Sequence, residues 1–93
     1  MKTIFLVDDS ATILLSISNI LGKAGYGVEK AGNAAEALKK FQAGVKVDLL
    51  ITDLNMPGMN GIEFIKEVRK LPNYRFMPIL FLTTESQQSK IGR

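Results

Sequence analysis

Cysteine and histidine are both absent from this chain of 93 residues. Without cysteine there is no disulfide, no thiolate metal site and no thiol nucleophile, which fits a reducing compartment. Without histidine the commonest general base and zinc ligand are gone, so any chemistry falls to carboxylates, hydroxyls, lysines and arginines. Long apolar runs are missing too. None approaches the ~20 residues of a membrane span, and the apolar run before Asp8 is too short for a secretory signal. A cytoplasmic location with no membrane partner is expected. A basic block is also lacking: the net charge is +3, but the lysines at 23, 30, 39, 40, 46, 66, 70 and 90 are spread out without interleaved aromatics. That spacing predicts a solvated surface and no direct nucleic-acid partner.

What is present is a hydrophobic content of 46% with 23% charged residues, the make-up of one soluble domain over residues 1–93. A domain of this size buries roughly 60 to 65% of the surface its unfolded chain exposes, so the core has little to spare.

Ile4-Phe5-Leu6-Val7 is a short continuous apolar run, as expected of a strand covered on both faces. Ser10 is a plausible N-cap for a helix whose apolar stripe is Ile13, Leu14, Ile17, Ile20, Leu21 and Ala24, stopped at Gly25. Residues 26–30 alternate weakly and read as a second strand. Asn33, with Glu36 three residues on, resembles a capping box for a helix carrying Ala34, Ala37, Leu38 and Phe41 inward, and Gly44 closes it. Residues 47–52 form another buried run. A helix bearing Ile62, Ile65, Val68 and Leu71 follows and ends at Pro72, and residues 78–83 read as a fourth strand. Residues 85–90 look like the start of a further helix. Strands alternating with helices predict right-handed crossovers and a parallel sheet with helices on both faces.

The charges sit in a telling place. IFLVDDS ends in Asp8 and Asp9, LLITDLNMPGMNG carries Asp53 just ahead of a Pro-Gly turn, and Thr83 ends the fourth strand. Open parallel sheets bind ligands beyond the carboxyl ends of their strands, where strand order reverses. If the first and third strands are neighbours, all three carboxylates meet in one crevice, where like charges require a proton or a cation. Magnesium suits such a set, since it takes oxygen ligands and few protein carboxylates. Pro57 and Gly58 fit the centre of a type II turn, which can present a carbonyl such as that of Asn55. The plainer alternative is that each Asp simply caps a helix or forms a turn; jointly, the four positions at one edge favour a site.

LVDDS, LLITDLNMPGMNG and MPILFLTTES, spaced as they are here, resemble the receiver domains of two-component response regulators, most closely the stand-alone chemotaxis, CheY-like type. The resemblance covers about residues 2–88. It implies a doubly wound, flavodoxin-like α/β fold of strand order 2-1-3-4, an order taken from the family. The fifth strand and last helices of a complete receiver, with their aromatic switch residue and lysine, have no counterpart in the sequence. By resemblance Asp53 matches the phosphoacceptor, Asp9 and Asp53 the direct magnesium ligands, Asn55 the backbone-carbonyl ligand, and Asp8 the carboxylate acting through metal-bound water. Thr83 matches the hydroxyl that contacts the phosphoryl group, and Thr84 borders the same pocket.

The implied function is phosphoryl acceptance on Asp53 from a histidine kinase or small phosphodonor, with Mg2+ as cofactor and an unknown output protein as partner. Members catalyse their own phosphorylation and dephosphorylation but act mainly as switches. The alternative is a receiver-derived structural or oligomerising fragment, natural or engineered, that keeps the acidic pocket without signalling. An edge strand at residues 79–82 and an uncovered first helix would make a homo-oligomer the default. An aspartate phosphatase needs Asp-x-Asp where this chain has Asp8-Asp9-Ser10, and a flavin module needs a phosphate loop that this acidic pair would repel.

Overall fold

The computed structural model describes residues 2–53 and 61–82. Asn55, the Pro57-Gly58 turn, Thr83, Thr84 and the helix expected at residues 85–90 lie outside them. The elements are β1 (Thr3–Val7), α1 (Ala11–Lys23), β2 (Gly27–Ala31), α2 (Ala34–Gln42), β3 (Leu49–Asp53), α3 (Gly61–Lys70), a 3-10 turn (Pro72–Tyr74) and β4 (Ile79–Leu82). All strand pairs are parallel, in the order β2-β1-β3-β4.

The helix boundaries follow from local chemistry. Ser10 Oγ accepts the Ile13 N–H at 3.3 Å and starts α1, whereas Asn33 Oδ1 accepts the Glu36 N–H at 2.8 Å and starts α2. The Glu36 carboxylate reaches back at 3.2 Å to the N–H of Gly32, one residue before the cap that a capping box would use. Gly25 and Gly44 follow α1 and α2 with φ of +97° and +90°, a conformation that suits residues without a Cβ. Pro72, expected only to end α3, also opens the 3-10 turn, where its missing N–H costs nothing. The third strand runs to Asp53 rather than Thr52 because Asp53 pairs with Leu82 of β4.

Side chains alternate across each strand, so the two faces of the sheet differ. Phe5, Val7 and Leu50 face α2 and α3, and with Ala34, Ala37, Phe41, Phe64, Val68, Tyr74 and Met77 they form the core cluster. Phe41 is its hub: its ring centroid lies 4.8 Å from that of Phe5, 4.8 Å from Tyr74 and 6.2 Å from Phe64. Ile4 and Leu6 point to the opposite face, beneath α1. The stripe expected to bury α1 is only partly covered. No residue of α1 is fully buried, Leu14, Ile17 and Leu21 are half-buried, and Ile20 is 66% exposed. The reason is geometric. Helix α1 rests on β1 and β2, and among the described residues no second helix lies beside it.

Burial at the hub sets a stability expectation. Phe41→Ala removes a ring from the centre of the core and is expected to cost about 3 to 5 kcal/mol, a large share of a typical 5 to 15. Leu15→Ala, on the exposed side of α1, should change stability by less than about 0.5 kcal/mol. Urea unfolding of the two variants tests the contrast.

Candidate functional site: three aspartates at the switch point

The connection from β1 through α1 goes to β2 on one side, whereas β3 lies on the other side of β1 and leads away to β4. Strand order therefore reverses between β1 and β3, and the crevice beyond their carboxyl ends is where a ligand fits. The register fixes what lines it. Val7 pairs with Thr52, so the next residues, Asp8 and Asp53, come level. One side-chain oxygen from each of Asp8, Asp9 and Asp53 lies within 4.8 Å of the others. Asp8 and Asp53 are buried, and Asp9 is exposed.

Asp8 fits the turn-former alternative as well as the site. Its Oδ1 accepts the Ser10 N–H at 2.8 Å, folding the chain from β1 into α1, while its own N–H donates to the Ala31 carbonyl at 3.3 Å. Both bonds hold the carboxyl in place. At the other strand end, the buried Thr52 hydroxyl donates to the Asp53 carbonyl at 3.1 Å. Sequence reasoning treated Thr52 as mere strand and Ser10 as a cap alone. A small polar residue flanking each acidic end was the only signal available.

Burial pushes the Asp8 carboxyl above its ordinary 3.8; the Ser10 N–H opposes this, and the nearby Asp53 and Asp9 carboxylates push it further up. The donor set is all oxygen, from a chain without histidine or cysteine. That set fits a hard divalent cation, whose charge offsets the repulsion. The sequence placed Asp8, Asp9 and Asp53 at one edge, and the structure brings them together.

A stability prediction follows from the sign of the Asp8 shift. Because its folded-state pKa lies above the unfolded value, the folded chain binds more protons between the two, and stability falls as pH rises through the folded value. Asp8→Asn keeps an oxygen for the Ser10 N–H but removes the charge. In chelator at neutral pH it should be more stable than the parent by about 1 to 3 kcal/mol, the scale of one like-charge contact at ~5 Å. The gap should narrow as pH falls toward the ordinary Asp range, as read by thermal melts across pH.

The sequence and the fold find close counterparts among known proteins. The family described as the response regulator receiver domain matches residues 4–93. The chemotaxis protein CheY1 of Helicobacter pylori is 38% identical over 89 residues, covering 95% of this chain and 72% of that protein. The chemotaxis response regulator CheY4 of Vibrio cholerae superposes with a TM-score of 0.86 at 47% identity, covering 97% of this chain and 74% of that one. A chain in the structure of histidine kinase ThkA in complex with response regulator protein TrrA gives a TM-score of 0.79 at 40% identity, covering 90% of this chain and 70% of that one. With the family match spanning nearly its whole length, this chain belongs to the response regulator receiver domains of two-component signalling, of the CheY-like chemotaxis type.

Proposed function

We propose that residues 1–93 act as one receiver domain in the cytoplasm, accepting a phosphoryl group on Asp53 from a histidine kinase or a small phosphodonor and thereby altering its affinity for an output protein. The observation that carries this reading is the convergence of three carboxylates at the β1/β3 switch point, two of them buried. A kinase donor is supported by the likeness to the structure that pairs a response regulator with a histidine kinase.

In the proposed reaction a carboxylate oxygen of Asp53 forms a bond to phosphorus as the bond from phosphorus to the donor nitrogen or oxygen breaks. The electron pair leaves with the donor, and Asp53 becomes an acyl phosphate. The strand end holds Asp53 at the floor of the crevice, where little water reaches it. Asp8, pinned by the Ser10 N–H, and the exposed Asp9 complete an acidic wall. Asp8, Asp9, Asp53 and the Asn55 carbonyl are the residues assigned to magnesium, which when bound would offset negative charge on the carboxylates and phosphoryl oxygens. Thr83 and Thr84 are assigned to the phosphoryl group through the family resemblance.

Intact-mass measurement after incubation with acetyl phosphate and magnesium should show one phosphoryl adduct on the parent and none on Asp53→Asn. An adduct on the variant would move the acceptor elsewhere; no adduct on the parent, with a folded spectrum, would favour the non-signalling fragment.

The proposal extends to self-association. Strand β4 lies at the sheet edge among the described residues, with Leu80 on the α1 face 55% exposed, and Ile13 and Ile20, one above the other on one side of α1, are exposed on the same face of the sheet. A second copy brings the same apolar surface, so a two-fold pair would cover both. Light scattering should give a mass that grows with concentration, and the melting temperature should rise with it. A cooperatively melting monomer over the same range would overturn this assembly.

A further inference from the structure

Cations that are dispersed along the sequence are not dispersed in the fold. In a right-handed β-α-β crossover the helix runs antiparallel to its strands, so helix ends and strand starts share one edge of the sheet. Lys2 directly precedes β1, Lys23 ends α1, Lys46 lies in the loop into β3, and Arg75 lies in the loop into β4. All four are exposed, at the edge opposite the aspartates. Two nearby acids offset them only in part. Asp48 is half-buried and accepts the Thr3 N–H at 2.7 Å, and Glu67 pairs with Lys70 at 3.1 Å. A cation in the last turn of a helix ordinarily answers the helix dipole. That accounts for Lys23, but Lys2, Lys46 and Arg75 lie outside the helices.

Phe76 stands at the same edge and is 90% exposed, with the Arg75 guanidinium 5.7 Å from its ring centroid. Its loop is pinned on both flanks. The buried Tyr74 donates its hydroxyl to the Val45 carbonyl, the Arg69 guanidinium donates to the carbonyls of Tyr74 and Arg75 at 2.9 Å each, and Met77 is buried in the core. The ring is therefore held out in water by a fixed loop, with almost none of its surface buried in the fold.

We infer that this edge docks on an anionic lipid surface, with Phe76 entering the interface and Lys2, Lys23, Lys46 and Arg75 facing the headgroups. The four cations come from separate elements, spread along an edge. That suits a diffuse surface charge, which needs no convergence on a single anion. A second copy of the chain is disfavoured, since it would oppose like charges. The acidic crevice, at the other end of the strands, would still face bulk solvent, so the inference does not depend on the phosphoryl reading.

The test uses vesicles of phosphatidylcholine and phosphatidylglycerol at about three to one, against pure phosphatidylcholine, at low and physiological salt. The chain has no tryptophan, so Phe76→Trp supplies a single reporter whose emission should shift to the blue only with the anionic vesicles. Co-sedimentation should weaken about fivefold for Phe76→Ser, and about 25-fold or more for Lys46→Glu with Arg75→Glu, at roughly fivefold for each charge lost. Unchanged melting curves would show that these exposed positions leave the fold intact. No partition into anionic vesicles at low salt, or partition that Phe76→Ser leaves unchanged, overturns the inference. Binding to poly-L-glutamate without binding to vesicles would instead assign the edge to an acidic polypeptide, and equally overturns it.

Discussion

The register of β1 against β3 is the constraint on which the rest depends. In a parallel pair, a slip of one residue would turn every side chain of the slipped strand to the opposite face. If β3 slipped, Leu50 would leave the core while Phe5 stayed in it, and Asp8 would no longer lie level with Asp53. The register is secured where the two strands begin. Asp48 accepts the Thr3 N–H through its side chain at 2.7 Å and donates its own N–H to the Thr3 carbonyl at 2.8 Å, so the starts of β1 and β3 are clamped by one residue. At the far end the Asp8 N–H bonds to Ala31 of β2, which holds the acidic corner to the sheet.

That clamp allows a one-sided core to support a site. Helices α2 and α3 bury their apolar faces on Phe5, Val7 and Leu50, and Phe41 joins them through three ring contacts. The opposite face carries α1 alone among the described helices. Because α1 has no fully buried residue, the rigidity of the crevice comes from the face beneath α2 and α3 and from the β1/β3 ladder.

Much of this was legible in the sequence, for identifiable reasons. Continuous apolar runs marked β1 and β3, and Ser10, Asn33, Gly25 and Gly44 marked helix ends, because caps and positive-φ positions are local chemistry. Asp8, Asp9 and Asp53 were legible as candidates because a charge at the end of an apolar run is conspicuous. Strand order was not legible from periodicity and came from family resemblance, since pairing between residues 4 and 49 leaves no local trace. Nor could sequence show the Asp48 clamp, whose partner lies 45 residues away, or the gathering of Lys2, Lys46 and Arg75 at one edge. The exposure of Ile13 and Ile20 shows the limit of a helical stripe: it marks the side that can be buried, while the neighbouring layers decide how much of it is.

The acidic corner opposes the fold that holds it. Burial of Asp8 disfavours its charged form, and Asp9 and Asp53 add repulsion. A sheet selected for stability alone would place neutral residues at these strand ends. The Ser10 N–H returns part of the cost by stabilising the Asp8 carboxylate, and it does so with a backbone donor that the turn into α1 would otherwise leave to water. The same bond thus shapes the helix entry and fixes the carboxylate. Whatever neutralises the cluster, whether a proton or a divalent cation, must favour the folded state, because in the unfolded chain the three carboxylates are not held together.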